Sequence, residues 1–280
     1  MVVCRKTAIV TGAAGGIGRV LVAGALEAGF QVALVDRDRG GLDKVAAEVA
    51  NPDQQDCLFN CVTDISKEEE CVRAVKDIAA QFGNIDALVN AAGIGMVVIR
   101  DSHMVEPVRF DEVSAEQWDH FFAINTKGPF LMAKAALPYL SSAGWGRVVN
   151  VTTSMDTMYR SGFCPYGPSK AALEAATAIW AQELDGSGVT VNVLTPGGPT
   201  DTPMLGQKLP FARRTMIRPE VMQAPLKWLL SKDSDGVNGR RFIGRYWDPT
   251  LPSDQAAKAA GGPAAWPGSG QGGVWPTTDE

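Results

Sequence analysis

A tyrosine and a lysine stand four residues apart in Tyr166-Gly167-Pro168-Ser169-Lys170. On a helix that spacing puts both side chains on one face. An ammonium beside a phenol favours the phenolate, lowering a pKa that is ordinarily about 10. Such a tyrosine can give or take a proton near neutral pH. Far upstream, Thr11-Gly12-Ala13-Ala14-Gly15-Gly16-Ile17-Gly18 puts four glycines into one short stretch. Glycine lets the backbone turn tightly and lets a pyrophosphate approach a helix start, where unpaired N–H groups and the helix dipole favour negative charge. Asp36, at the end of the next apolar run, offers a carboxylate to ribose hydroxyls and would repel a 2′-phosphate. Thr153 and Ser154 precede Tyr166 by thirteen and twelve residues. Each has one donor and two acceptor lone pairs, so either could polarise a carbonyl.

These residues need a frame, and the chain alternates two kinds of segment. Short apolar runs at Thr7–Thr11, Gln31–Asp36, Cys57–Val62, Ile85–Asn90, Arg147–Thr152, Val189–Leu194 and Arg240–Gly244 predict buried strands. Helices are expected at Ile17–Ala28, Gly41–Val49, from a Ser66 capping box to near Gly83, from Ser114 to roughly Leu140, and from Pro165 to Leu184. Strands separated by helices imply right-handed crossovers and a parallel sheet covered on both faces. The expected fold class is α/β, a doubly wound parallel sheet or Rossmann fold, over residues 1–247. Residues 248–280 are rich in Pro, Gly and Ala, with a short helical pattern only at Ser253–Ala260 and isolated Trp266 and Trp275. That extension is expected to be either disordered or docked on the body or a neighbouring subunit.

In this order the motifs resemble the short-chain dehydrogenase/reductase family over most of the chain. Gly12, Gly16 and Gly18 fall at the family's Thr-Gly-x-x-x-Gly-x-Gly positions, with Gly15 and Ile17 between them. The resemblance implies a tetrad of Asn125, a hydroxyl residue, Tyr166 and Lys170. Tyr166 would exchange a proton with the substrate oxygen. Lys170 would depress the Tyr166 pKa and bind ribose hydroxyls, and Asn125 would hold a water leading to Lys170. The family's usual spacing points to Thr153 and its usual residue type to Ser154, which is ranked slightly ahead. Asp64 and Ile65 resemble the family's adenine neighbours, although an acid leading into the following helix explains Asp64 equally. Asn90-Ala91-Ala92-Gly93 is similar to the family's Asn-Asn-Ala-Gly. Pro196, Gly197 and Thr202 would meet the nicotinamide end, in a segment one residue longer than the family's pattern. NADP-using members carry a base where this chain has Gly15. With Asp36, that favours NAD over NADP, while Arg37 leaves a route to a phosphate if Asp36 turns away.

The stretch Ile94–Arg109 is long for the family, and a second lid is expected over Leu205–Ile217. Met96, Met155, Tyr159 and Phe163, with Met158, would line a substrate wall, suggesting a ring-bearing or hydrophobic alcohol or ketone. Arg213 and Arg214 are read as solvated charges or, less simply, a carboxylate clamp. A noncatalytic NAD(H)-binding sensor or scaffold on the same fold is the alternative, and the Tyr166/Lys170 pair argues for chemistry. At 280 residues, 45% hydrophobic and 20% charged, the composition is that of a globular domain. A net charge of −5 argues against a nucleic-acid partner and gives no reason to expect a membrane surface. With no leader or membrane-spanning run evident, a cytoplasmic protein is expected, its five cysteines reduced thiols. Two histidines without suitable spacing predict no metal. The resemblance further implies self-association to a homodimer or homotetramer through the two long helices.

Overall fold

In the computed structural model, which describes residues 6–269, the apolar runs become the strands of one sheet. They are β1 (Lys6–Thr11), β2 (Phe30–Asp36), β3 (Leu58–Val62), β4 (Ala87–Asn90), β5 (Gly146–Val151), β6 (Val189–Thr195), β7 (Arg240–Ile243) and β8 (Gly261–Pro263). Their order is β3-β2-β1-β4-β5-β6-β7-β8, with every pairing parallel except β7 with β8. Strands such as β4, β5 and β6 are buried along their whole length because helices cover both faces, so no polar alternation is possible.

The helices are α1 (Gly16–Glu27), α2 (Arg39–Val49), α3 (Glu68–Phe82), α4 (Ala115–Phe122), α5 (Gly128–Ser142), α6 (Met155–Met158), α7 (Tyr166–Glu183), α8 (Gln223–Leu229) and α9 (Ser253–Ala260). One apolar layer joins α1 and α8 to the sheet through Leu21, Leu34, Leu226 and Phe242. The opposite layer joins α3 and α5 through Ile9, Ile78, Leu88 and Met132. The connection order reverses between β1 and β4, and the crevice beyond their carboxyl ends is where such sheets bind ligands. No helix among the described residues is long and apolar enough to cross a membrane.

Several expectations require correction. The helix read as continuous from Ser114 to Leu140 is three pieces, with a π-helical turn at Ala123–Lys127 between α4 and α5. Pro129, in the first turn of α5, has no N–H to continue the regular ladder. Ser66 does not cap α3; its hydroxyl donates to Asp64 Oδ1 at 2.7 Å. Cys57 is disulfide-bonded, whereas Cys61, Cys71 and Cys164 are free. An odd number of cysteines leaves one unpaired but does not forbid a pair. Past residue 247 the chain re-enters the fold, with α9 burying Ala256, Ala257 and Ala260 and β8 extending the sheet. Trp266 remains partly exposed, and Trp275 lies outside the described residues.

Candidate active site at the carboxyl end of the sheet

The glycine turn leaves β1 and meets the end of β4 at van der Waals limits. Gly12 has a positive φ of 67°, and a methyl there would lie 2.5 Å from the Ala92 Cα. Thr11 Oγ1 accepts hydrogen bonds from the N–H groups of Ala91 and Ala92, both at 3.1 Å, clasping the two strands at the crevice. A methyl on Gly18 would collide with the Gly12 carbonyl, so only glycine lets α1 start this close to the turn. Gly15 caps α1 without a side chain, and no acid occupies its first turn. The N–H groups around Gly16, Ile17 and Gly18 therefore face the crevice with the positive end of the helix dipole uncompensated. The residues fit a dinucleotide pyrophosphate.

Asp36 lies beside that turn, where its Oδ2 accepts from Ala14 N at 3.1 Å and its Oδ1 from Asp38 N at 3.1 Å. The carboxylate is thus fixed at the edge of the crevice, with exposed Arg37 next to it. Asp64 accepts two bonds from Ser66. Desolvation opposes its ionisation, but those bonds with Lys67 and Arg37 hold its carboxyl below the usual range. Ile65 is buried against Gly128, where a methyl would stand 2.5 Å from the Ile65 Cδ1. Asn90 does not point to the crevice mouth; it is buried and donates to Asn150 Oδ1 at 2.9 Å. Thr202 donates to the Thr200 carbonyl at 3.4 Å and presses its methyl toward Gly16, where a Cβ would come within 2.7 Å. The loop carrying Pro196 and Gly197 turns at a Gly197 φ of 101°.

Asn125, Lys170 and Gly93 converge. A methyl at Gly93 would sit 3.1 Å from Asn125 Oδ1 and 3.2 Å from Lys170 Nζ. Asn125 lies in the π-helical turn, a widening frequent at functional sites. Its amide clamps the backbone of Ile94 from both sides, accepting from Ile94 N at 2.8 Å and donating to Ile94 O at 3.0 Å. A third bond goes to Ser169 Oγ at 3.0 Å, on the first turn of α7. Lys170 is buried, donates to Val151 O at 2.9 Å, and is pushed by desolvation down to about 8.

The Thr153 side chain stands beside the Tyr166 phenol and favours its ionised form. Ser154 is turned away, sharing a 2.7 Å bond with Thr157 Oγ1 at the start of α6. Thr153 is therefore the hydroxyl beside the phenol, while that of Ser154 is engaged with Thr157. Burial pushes the Tyr166 phenol up, and Thr153 pulls it only partly back. Lys170, whose ammonium donates to Val151 O, does not lower it.

Beside the phenol lies a small apolar cluster of Met96, Val108 and Phe121, with Phe163 and Tyr166 on its edge. Met155 is half-buried at the start of α6, whereas Tyr159 is 79% exposed and lines no wall. The two lids are sewn together. A methyl at Gly95 would meet Met204 Cγ at 2.6 Å, and Gln207 N donates to Asp101 Oδ1 at 3.1 Å. Arg213, 38% exposed, pairs with Asp201 at 2.9 Å, as does Arg218 at 2.7 Å, and Arg214 is exposed.

A family model described as short chain dehydrogenase matches residues 6–211. The chain belongs to the short-chain dehydrogenase family. This short-chain dehydrogenase is 32% identical over 191 residues to a D-threitol dehydrogenase of Mycolicibacterium smegmatis, covering 68% of this chain and 69% of that one. It is 31% identical over 246 residues to the 3-oxoacyl-[acyl-carrier-protein] reductase FabG of Thermotoga maritima, covering 84% and 94%. Among solved structures, a 3-ketoacyl-(acyl-carrier-protein) reductase from Brucella melitensis complexed with NADH superposes with a TM-score of 0.72 at 27% identity, covering 83% of this chain and 93% of that one. The short-chain dehydrogenase is thus an oxidoreductase family member with a nucleotide-binding Rossmann fold.

Residues that sequence reasoning passed over complete the site. Thr11 is the β1–β4 clasp. Glu174 and Arg241 form an ion pair whose side chains are 0% and 7% exposed. Glu174 could have been noticed as an acid four residues beyond Lys170 on the same helix face.

Proposed function

We propose that the protein transfers a hydride between NAD(H) and a secondary alcohol or ketone of hydrophobic or ring-bearing character. The observation that carries this reading is Thr153 beside Tyr166, with Lys170 buried one turn further along the same helix, at the carboxyl end of the sheet. A bound nicotinamide supplies the hydride donor or acceptor. Thr153 and Tyr166 offer two hydroxyls to one substrate oxygen, the first orienting it and the second exchanging the proton. A phenol raised by burial holds its proton near neutrality, which suits donation to a carbonyl oxygen. Lys170 would bind ribose hydroxyls, and Asn125 would support both the Ile94 backbone and the start of α7. The apolar cluster around Met96 and Phe163 supports a hydrophobic substrate. The fixed carboxylate of Asp36 and the absence of a base at position 15 support NAD over NADP.

The first test is fluorescence titration with NADH and NADPH, followed by NADH production across a panel of cyclic and acyclic secondary alcohols. Tighter NADH binding and turnover on at least one hydrophobic member are expected. Equal or tighter NADPH binding would refute the cofactor assignment. Cofactor binding with no turnover on any alcohol or ketone would refute the enzyme reading.

A further inference from the structure

Beneath the Thr153/Tyr166 pair lies a buried charged assembly that the proposed chemistry does not use. Glu174 on α7 accepts from Thr152 Oγ1 at 2.7 Å, stands 3.4 Å from Arg241 Nε, and accepts from Ala265 N at 3.3 Å. From β7, the Arg241 guanidinium also donates through Nη2 to the carbonyl of Thr153 at 2.7 Å. One ion pair therefore grips two consecutive residues after β5: Thr152 by its side chain and Thr153 by its backbone.

Burying two charges costs several kcal/mol of desolvation per ion, and a pair of this kind is often no more stable than apolar residues of equal volume. Its geometry accounts for it better than stability does. The planar fork of an arginine can face a carboxylate and a carbonyl at once, which a lysine point charge cannot. The Thr153 peptide is thus held by its carbonyl, with its side chain beside Tyr166.

We infer that Glu174 and Arg241 are positioning residues that hold Thr153 in hydrogen-bonding register with Tyr166, and that the segment after β8 completes them through Ala265. The inference rests on Thr153 being the hydroxyl partner of Tyr166. Charged or titratable groups near the phenol are Lys170 on α7, held by Val151 O, the Glu174/Arg241 pair itself, and His103 beyond the Phe163 ring. Burial pushes His103 down, toward the neutral imidazole.

The test reads the phenol directly, without substrate. Ultraviolet titration of tyrosinate in the full-length protein, with Tyr166→Phe subtracted, isolates Tyr166 from the other tyrosines. Thr153→Val removes the hydroxyl and should raise the Tyr166 pKa by on the order of half a unit. Arg241→Met should produce the same rise, and the double variant no more than either alone. Arg241→Lys keeps a cation for Glu174, so the fold persists if the methionine variant fails to fold; it should show the same rise. A folded Arg241→Lys protein with the wild-type titration overturns the inference, as does a double variant whose shift is the sum of the two. No shift in Thr153→Val would overturn the underlying Thr153 reading instead.

Discussion

The roles proposed for Tyr166 and its neighbours give single substitutions distinct expected signatures. Tyr166→Phe keeps the ring but loses the hydroxyl, so turnover should fall by about 10²–10⁴-fold while NADH titration stays unchanged. Thr153→Val should lose activity on the same assay and Ser154→Ala should not, because Ser154 is bonded to Thr157. Lys170 makes a prediction about stability. Desolvation lowers its folded pKa from 10.5 to about 8, so between those values the unfolded chain binds more protons. Burial of Lys170 therefore destabilises the fold at neutral pH, and that cost fades as pH rises from about 8 toward 10.5. Lys170→Met should consequently melt above wild type at pH 7, with the gap narrowing in melts at higher pH. A variant that melts below wild type at pH 7 would show that the Val151 bond outweighs the desolvation.

At the scale of elements, the π-helical turn between α4 and α5 supports the loop after β4 through one amide. Asn125→Ala would remove both bonds to the part-buried Ile94 backbone and the buried bond to Ser169, for a loss on the order of 1–2 kcal/mol in urea denaturation. The interruption was not legible in the sequence, because Ser114–Leu140 carries a capped start and good helix formers, and Pro129 alone marks the break. The parallel strands were legible for a physical reason: burial on both faces writes them as continuous Val, Ile and Leu runs. Gly12, Gly18, Tyr166 and Lys170 were legible because fixed spacing encodes their geometry. After β5, spacing and residue type pointed to different hydroxyls, Thr153 and Ser154, so the sequence left that choice open. Equally hidden was the Glu174/Arg241 pair, whose members are 67 positions apart and meet only once α7 lies under β7.

At the scale of the whole molecule, a face of the described residues presents large apolar side chains to solvent. Trp118, Phe130 and Ile179 are 41%, 46% and 52% exposed on α4, α5 and α7, around a shallow depression floored by Phe122, Ala176 and Trp180. An apolar face of this kind leads us to predict self-association to a homodimer or homotetramer. Light scattering at micromolar concentration should give such an assembly, and Phe130→Glu should shift it toward monomer; a monomeric wild type would refute it. The other end of the molecule sets a schedule for biosynthesis. The ribosome releases the glycine turn, Asp36 and the β4 loop long before β7, so the nucleotide half can assemble early. Glu174 then waits as an unpaired charge until Arg241 and, last of all, the N–H of Ala265 emerge. A nascent chain can thus form the glycine-turn crevice well before the Glu174/Arg241 pair closes beneath Thr153, and loss of the residues from Ala265 onward would leave that pair without its last hydrogen bond.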